Sequence, residues 1–230
     1  MSYIAGVVPF TTIDYPDHLS AVIFFAGCPL KCPYCHNASL RAYKDIYPYQ
    51  WTEILDFLKQ RQGLLEAVVF SGGEPLMQQD LYEKMQDVKN LSFKVGVHTS
   101  GFYSAHLEKL LPLLDWVGLD IKAPWEKYVN VSSNPKIVQE VQTTLKLLLD
   151  AGIDFEARTT ADPSFLTPDD ILTIGQELSQ KGVKNYALQL YRPFKEALHT
   201  PTHAEIRAFA DKKITEVLTG LFSKFTLRND

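Results

Sequence analysis

Six short apolar runs, each followed by a longer stretch of helical periodicity, constrain this 230-residue chain more than any other feature. The runs at 21–26, 67–70, 93–98, 116–121, 155–160 and 186–191 have strand length and are rich in β-branched and aromatic residues. The stretches at 51–62, 81–89, 104–114, 135–151, 168–181 and 203–222 read as helices. In the fourth of these, Ile137, Val141, Leu145, Leu148 and Leu149 recur at three- and four-residue steps, which is one face of a helix. Strand followed by helix, six times over, implies parallel strands joined by right-handed crossovers. Val68-Val69-Phe70 and Trp116-Val117-Gly118-Leu119 are apolar almost throughout, as expected of strands covered on both faces. A closed eight-unit barrel takes about 250 residues. Six units and a short N-terminal extension therefore predict an α/β fold, a partial, open (β/α)6 barrel of parallel strands, with a doubly wound sheet as the alternative. No linker or low-complexity tract interrupts the pattern, so residues 1–230 read as a single domain.

Local chemistry marks several helix ends. Thr167-Pro168-Asp169-Asp170 offers an N-cap, a first-turn proline and first-turn acids, and Thr202 to Glu205 has capping-box spacing. Gly63, Gly152 and Gly182 fall where a helix needs a left-handed residue to stop.

Composition narrows the classes of function. With 46% hydrophobic and 22% charged residues and a net charge of −4, the chain has no basic surplus for gripping nucleic acid. The first residues lack the basic and apolar regions of a signal peptide, and no apolar run approaches the roughly 20 residues of a membrane span. No nucleic-acid or membrane partner is expected, and the expected location is the cytoplasm.

Ligands of parallel α/β folds bind at the carboxyl ends of the strands. All six predicted ends carry ligand-type residues: Gly27 to Asn37, Ser71-Gly72-Gly73-Glu74-Pro75, His98-Thr99-Ser100-Gly101, Asp120-Ile121-Lys122, Arg158-Thr159-Thr160 and Gln189-Leu190-Tyr191-Arg192. The chain's three cysteines, Cys28, Cys32 and Cys35, all lie in the first of these, spaced C-x3-C-x2-C. An odd number packed into eight residues is no disulfide framework. Three thiolates supply three of the four ligands of an iron–sulfur cube and leave one iron open to a substrate. Rival readings exist. Cys32 to His36 contains the C-x-x-C-H haem-attachment pattern, but without an export signal. Cys32-Pro33-Tyr34-Cys35 resembles a glutaredoxin-type dithiol, which leaves Cys28 unexplained. A zinc site of three cysteines and His36 would need adjacent Cys35 and His36 to chelate one ion.

The cysteine spacing with aromatic Tyr34 before the last cysteine, followed by Ser71-Gly72-Gly73-Glu74-Pro75 after the second strand, resembles the two signatures of radical S-adenosylmethionine enzymes. The resemblance covers nearly the whole chain. It implies a [4Fe–4S] cluster on Cys28, Cys32 and Cys35, with S-adenosylmethionine chelating the fourth iron. Reductive cleavage of that cofactor would yield a 5′-deoxyadenosyl radical. It further implies that Tyr34 lies against the adenine, that Gly72 and Gly73 admit a close backbone approach, and that Glu74 accepts from the ammonium of the methionine part. Asp120 and Lys122 would contact the ribose and carboxylate, Arg158 would be ligand-bound or paired, and Leu190 would back the adenine. His98 stands where relatives carry an aspartate that helps place the cofactor carboxylate, sometimes through a monovalent cation.

Thr12-Ile13-Asp14-Tyr15-Pro16, Phe24 to Cys28, Cys35-His36-Asn37 and Gln189 to Pro193 look like the longer type of anaerobic ribonucleoside-triphosphate reductase activating protein, one of the glycyl-radical enzyme activating enzymes. That implies a glycine in a glycyl-radical protein as substrate and a flavodoxin- or ferredoxin-type electron donor. Two alternatives remain: a radical enzyme acting on a small molecule, similar to 7-carboxy-7-deazaguanine synthase, and a non-radical thiol-redox or metal-binding protein. The absence of further cysteines predicts no auxiliary cluster. His18, His106, His199 and His203 have no partners in the pattern and read as solvent or helix-face residues.

Overall fold

The computed structural model describes residues 3–32, 34–43, 48–131, 134–193 and 200–229. Eight strands follow one another in hydrogen-bonding order, β1 through β8, with β1 and β8 at the two ends of that order. Helices α1 to α7 lie between them in sequence. All six expected strands are present, together with two that the periodicity did not mark. The chain clusters into two compact units, the first Met1–Pro29, Asn37–Gly118 and Glu140–Asp154, the second Leu30–His36, Leu119–Gln139 and Phe155–Asp230.

In the first unit, β1 (Ile4–Thr11) runs antiparallel to β2 (Ser20–Phe25). Strands β2, β3 (Ala67–Gly72) and β4 (Lys94–Thr99) are parallel. The N-terminal extension is thus an edge strand, which is where Pro9, lacking an N–H, is tolerated. Helices α1 (Trp51–Lys59), α2 (Leu81–Asn90) and α3 (Ser104–Leu110) follow β2, β3 and β4. A 3-10 turn over Leu111–Leu113, containing Pro112, ends the third helix earlier than its period suggests. Val68, Val69 and Phe70 are fully buried, each worth about 1.5–3 kcal/mol of transfer free energy. Val69 also joins Tyr15, Val22, Ala67 and Trp116 in a core cluster, the Tyr15 and Trp116 rings stacked with centroids 5.1 Å apart.

β5 (Trp116–Asp120) and α4 (Ile137–Ala151) run from one unit into the other along the chain. Ile137, Val141, Leu145 and Leu148 are buried, as the helical stripe predicts.

In the second unit, β6 (Asp154–Ala161), β7 (Asn185–Leu190) and β8 (Lys224–Arg228) are parallel neighbours. Helix α5 (Pro168–Gln180) starts at the expected capping box of Thr167 and Asp170. The long C-terminal helix expected over 203–222 is two helices, α6 (His203–Ala208) and α7 (Lys212–Leu221). Asp211 interrupts it, its carboxylate accepting from the Lys213 amide as a new N-cap. α5 and α7 approach closely at Gly175, where a Cβ would lie 2.5 Å from the Leu218 side chain. Tyr186 of β7 packs its ring on Phe222 and Phe225, at 4.9 and 6.1 Å. Among the described residues no helix is long and apolar enough to cross a membrane.

Candidate cofactor site

In the first unit the end of β3 is bonded to the segment that leads into Cys28. Gly72 has φ +121°, and a Cβ there would lie 2.2 Å from the Phe25 carbonyl oxygen. A Cβ on Gly73 would lie 2.2 Å from the Gly27 carbonyl oxygen and 3.2 Å from Cβ of Cys28. Only glycine allows both approaches. They are fixed by the amides of Gly73 and Glu74, which donate to the Phe25 and Gly27 carbonyls at 2.8 and 2.7 Å. From the other side the amides of Gly27 and Cys28 donate to the Leu40 and Arg41 carbonyls. The backbone that carries Cys28 is therefore held on both flanks.

Glu74 is 1% exposed. Its Oε1 accepts from the Thr99 hydroxyl at 2.7 Å and the Leu76 amide at 3.1 Å; its Oε2 accepts from the Ser100 amide at 2.8 Å and the Ser100 hydroxyl. Burial pushes its carboxyl upward, and these bonds pull the other way without cancelling the rise. A carboxylate offers about four acceptor positions, and all four are in use. Through these bonds Glu74 fastens the β3 loop to the end of β4. Thr99 and Ser100, which the sequence marked only as part of a strand-end motif, supply three of these four bonds, and the Leu76 amide the fourth.

His98 is also committed. Its Nε2 lies 2.7 Å from the Asp14 carbonyl oxygen, its Nδ1 3.5 Å from the Ser71 hydroxyl, and its ring meets Trp116 edge-on at 5.6 Å. Histidine here ties the 12–16 segment to β3 and β4.

In the second unit Asp120, Lys122 and Arg158 form one group. Asp120 Oδ1 accepts from Arg158 Nε at 3.1 Å and Nη2 at 2.8 Å, while Oδ2 accepts from Lys122 Nζ at 3.2 Å. Tyr128, unmarked in the sequence, braces the turn: its hydroxyl accepts from the Lys122 amide at 2.9 Å and donates to the Asp120 carbonyl at 3.3 Å. Two cations share one carboxylate, a net positive group suited to an anionic ligand. Burial alone would lower the lysine, but Asp120 and its other neighbours hold Lys122 well above its ordinary value, so it stays charged.

The lysine ammonium sits 5.9 Å from the centroid of the Tyr34 ring, within cation–π range. Tyr34 is buried beside Phe165, and its hydroxyl has no partner among the described residues. An orphaned buried hydroxyl beside a positive group fits a polar ligand at this place. Burial pushes the Cys32 thiol up and Lys122 draws it down. Leu190 does not join this group: by strand alternation it shares a face with Tyr186 and Leu188, opposite that of Arg158. Pro33 and His199 lie outside the described residues. Elsewhere, His106 Nδ1 is 2.6 Å from the Leu76 carbonyl oxygen, a structural contact.

None of Cys28, Cys32 and Cys35 is in a disulfide. Among the described residues no three His, Cys, Asp or Glu side chains are gathered into a metal site. Three thiols outside any disulfide on one short segment nonetheless match the donor set of an iron–sulfur cube with one open iron, and the site residues fit in kind.

The chain belongs to the radical SAM superfamily, whose model matches residues 22–164. The cofactors of that family are a [4Fe–4S] cluster and S-adenosylmethionine. A protein of Methanocaldococcus jannaschii with the description "putative glycyl-radical enzyme activating enzyme" is 30% identical over 95% of this chain and 98% of its own length. The pyruvate formate-lyase-activating enzyme of Clostridium pasteurianum is 31% identical over 53% of each chain. Among solved structures, Streptococcus suis SuiB bound to S-adenosylmethionine superposes with a TM-score of 0.67 over 87% of this chain, at 14% identity. Native anSMEcpe with bound S-adenosylmethionine gives 0.64 over 88%, at 19% identity. The chain spans 47% of SuiB and 61% of anSMEcpe, so these likenesses concern the fold. The fold is the α/β fold of this superfamily, with its mostly parallel sheet, as the strand–helix alternation predicts.

Proposed function

We propose that this protein is a glycyl-radical activating enzyme. Cys28, Cys32 and Cys35 would hold the cluster; Gly72, Gly73, Tyr34, Asp120, Lys122 and Arg158 would seat S-adenosylmethionine, and Glu74 and His98 would fix the surrounding backbone. When bound, the two cofactors supply a one-electron reductive cleavage whose carbon radical takes hydrogen from an unactivated C–H bond. The substrate in this proposal is a glycine of anaerobic ribonucleoside-triphosphate reductase, with a flavodoxin or ferredoxin as electron donor.

The observation that carries the proposal is the three cysteines spaced C-x3-C-x2-C on the segment after β2, none of them in a disulfide, and within each unit polar groups at the strand ends suit part of a zwitterionic ligand. Gly72 and Gly73 expose backbone at the end of β3, where a carbonyl can accept from an ammonium. The net positive group around Asp120 suits a carboxylate, and the Tyr34 ring and orphaned hydroxyl suit a base with polar edges. Similarity to the M. jannaschii and C. pasteurianum proteins supports the glycyl-radical class.

Anaerobic reconstitution with iron and sulfide tests it. The wild type should bind about four irons per chain, as a [4Fe–4S] cluster requires. Cys28→Ala, Cys32→Ala and Cys35→Ala should each lose that iron while keeping the far-ultraviolet circular dichroism of the wild type. Full iron content in any one of them would remove that residue from the ligand set, and a single bound zinc in the wild type would overturn the proposal.

A further inference from the structure

The face of β6, β7 and β8 that carries Arg158 also holds a row of polar side chains with no part in the cofactor site. Thr160 is in register with Gln189, and Gln189 with Arg228. By strand alternation all three project from the side opposite Tyr186, Leu188 and Phe225, the side that packs on α7. All three are half-buried. The Thr160 hydroxyl and the Gln189 amide make no hydrogen bond among the described residues. Arg228 forms an ion pair with Glu156, Nη2 to Oε1 at 2.7 Å but without hydrogen-bond alignment, and so brings no net charge to the row.

A row serving only to fill a core would be apolar, like Val68-Val69-Phe70 in β3. Here three neighbouring strands present a hydroxyl, a carboxamide and the free N–H groups of a guanidinium, which together donate and accept. Two interstrand gaps of about 4.8 Å make the row about 10 Å long. Three residues of extended polypeptide cover about the same distance. The neutralised guanidinium disfavours a phosphate-bearing ligand, which calls for surplus cations, and favours peptide carbonyls. The row is continuous with the cofactor site through Arg158, two residues before Thr160 on the same face of β6.

We infer that Thr160, Gln189 and Arg228 bind the backbone of a short, extended, glycine-containing polypeptide segment and so present its glycine to the cofactor site. The inference rests on the function proposed above for the glycine and adds the residues that recognise the chain around it. Glycine has no side chain to grip, so recognition falls on the amides that flank it.

The test uses cofactor-loaded protein and acetyl-Ala-Ala-Gly-Ala-Ala-amide, with binding followed by NMR titration. Gln189→Leu and Thr160→Val keep side-chain volume while removing hydrogen bonds, and each should weaken peptide binding several-fold, Gln189→Leu about tenfold. The same peptide with N-methylglycine at its centre should bind the wild type more weakly. That penalty should shrink in Gln189→Leu, since a lost partner cannot be lost twice. Equal affinity of wild type and both variants, or no binding by the wild type, overturns the inference. A peptide deuterated at the glycine α-carbon separates it from the proposed function. Deuterium reaching 5′-deoxyadenosine with unaffected variants removes the row alone, and no transfer at all removes the glycine as target.

Discussion

Gly73→Ala should damage the protein out of proportion to one added methyl group. The new Cβ would lie 2.2 Å from the Gly27 carbonyl oxygen and 2.7 Å from its carbon, both main-chain atoms that no rotamer change can move aside. Relief must come from separating the two segments, which breaks the 2.7 Å hydrogen bond from the Glu74 amide to Gly27 and shifts the adjoining Cys28. Overpacking of this kind costs about 1–3 kcal/mol, and the lost bond about 0.5–1.5 kcal/mol. The expected destabilisation is therefore about 2–4 kcal/mol, a fall in melting temperature of roughly 5–15 °C for a chain of this size. Gly220→Ala is the matched control: exposed in α7, with nothing within 4 Å of its added Cβ, it should stabilise the protein by about 0.5–1 kcal/mol. Thermal unfolding of the metal-free proteins by circular dichroism reads both signs. The same preparations, reconstituted, should show Gly73→Ala retaining less iron than Gly220→Ala. A Gly73→Ala protein melting within about 2 °C of the wild type, under half the expected fall, would refute the close approach between the two loops.

Removing Asp120 should be worse than removing either cation. Asp120→Ala takes one carboxylate from both Lys122 and Arg158, whose side chains are 11% and 9% exposed, and should cost about 3–5 kcal/mol in urea unfolding; Lys122→Met should cost less, and equal losses would contradict the shared-carboxylate geometry. Asp170 gives a pH signature: burial pushes its carboxyl up, but hydrogen bonds from Lys127 and Thr167 outweigh this and hold it below its ordinary 3.8. A depressed folded value means stability present above pH 3.8 and lost as the pH falls below it. Asp170→Ala should therefore be about 1–2 kcal/mol less stable at neutral pH, with the gap closing in acid, and a gap that does not narrow would contradict the ion pair.

Much of the fold could be read in the sequence because strand and helix periods are strong where both faces or one stripe must be apolar. The exceptions have local causes. β1 contains Gly6 and Pro9, which weaken a strand signal, and only its place at the edge makes them harmless. β8 is five residues of mixed polarity directly after a helix, so its period is too short to register. Asp211 did carry a capping signal, hidden inside a run that otherwise continued the helical stripe.

In the site, residue types and strand-end positions were legible, because glycine, cysteine and buried charge each have few structural uses. Pairings were not. That Thr99 and Ser100 supply three of the four hydrogen bonds to Glu74, or that Tyr128 braces Lys122 against Asp120, depends on which strand ends become neighbours in three dimensions. The face on which Leu190 lies was illegible for a related reason: adjacent residues on a strand face opposite ways, and the register that assigns the face comes only with the sheet.

The most direct test of the central claim is to mix reduced, reconstituted protein with S-adenosylmethionine and anaerobic ribonucleoside-triphosphate reductase. Then 5′-deoxyadenosine is counted by chromatography and the reductase is examined by electron paramagnetic resonance. Formation of 5′-deoxyadenosine together with a glycyl radical on the reductase, both lost in Cys28→Ala, Cys32→Ala and Cys35→Ala, is the predicted result. Intact S-adenosylmethionine in the presence of a fully formed and reduced cluster would contradict it.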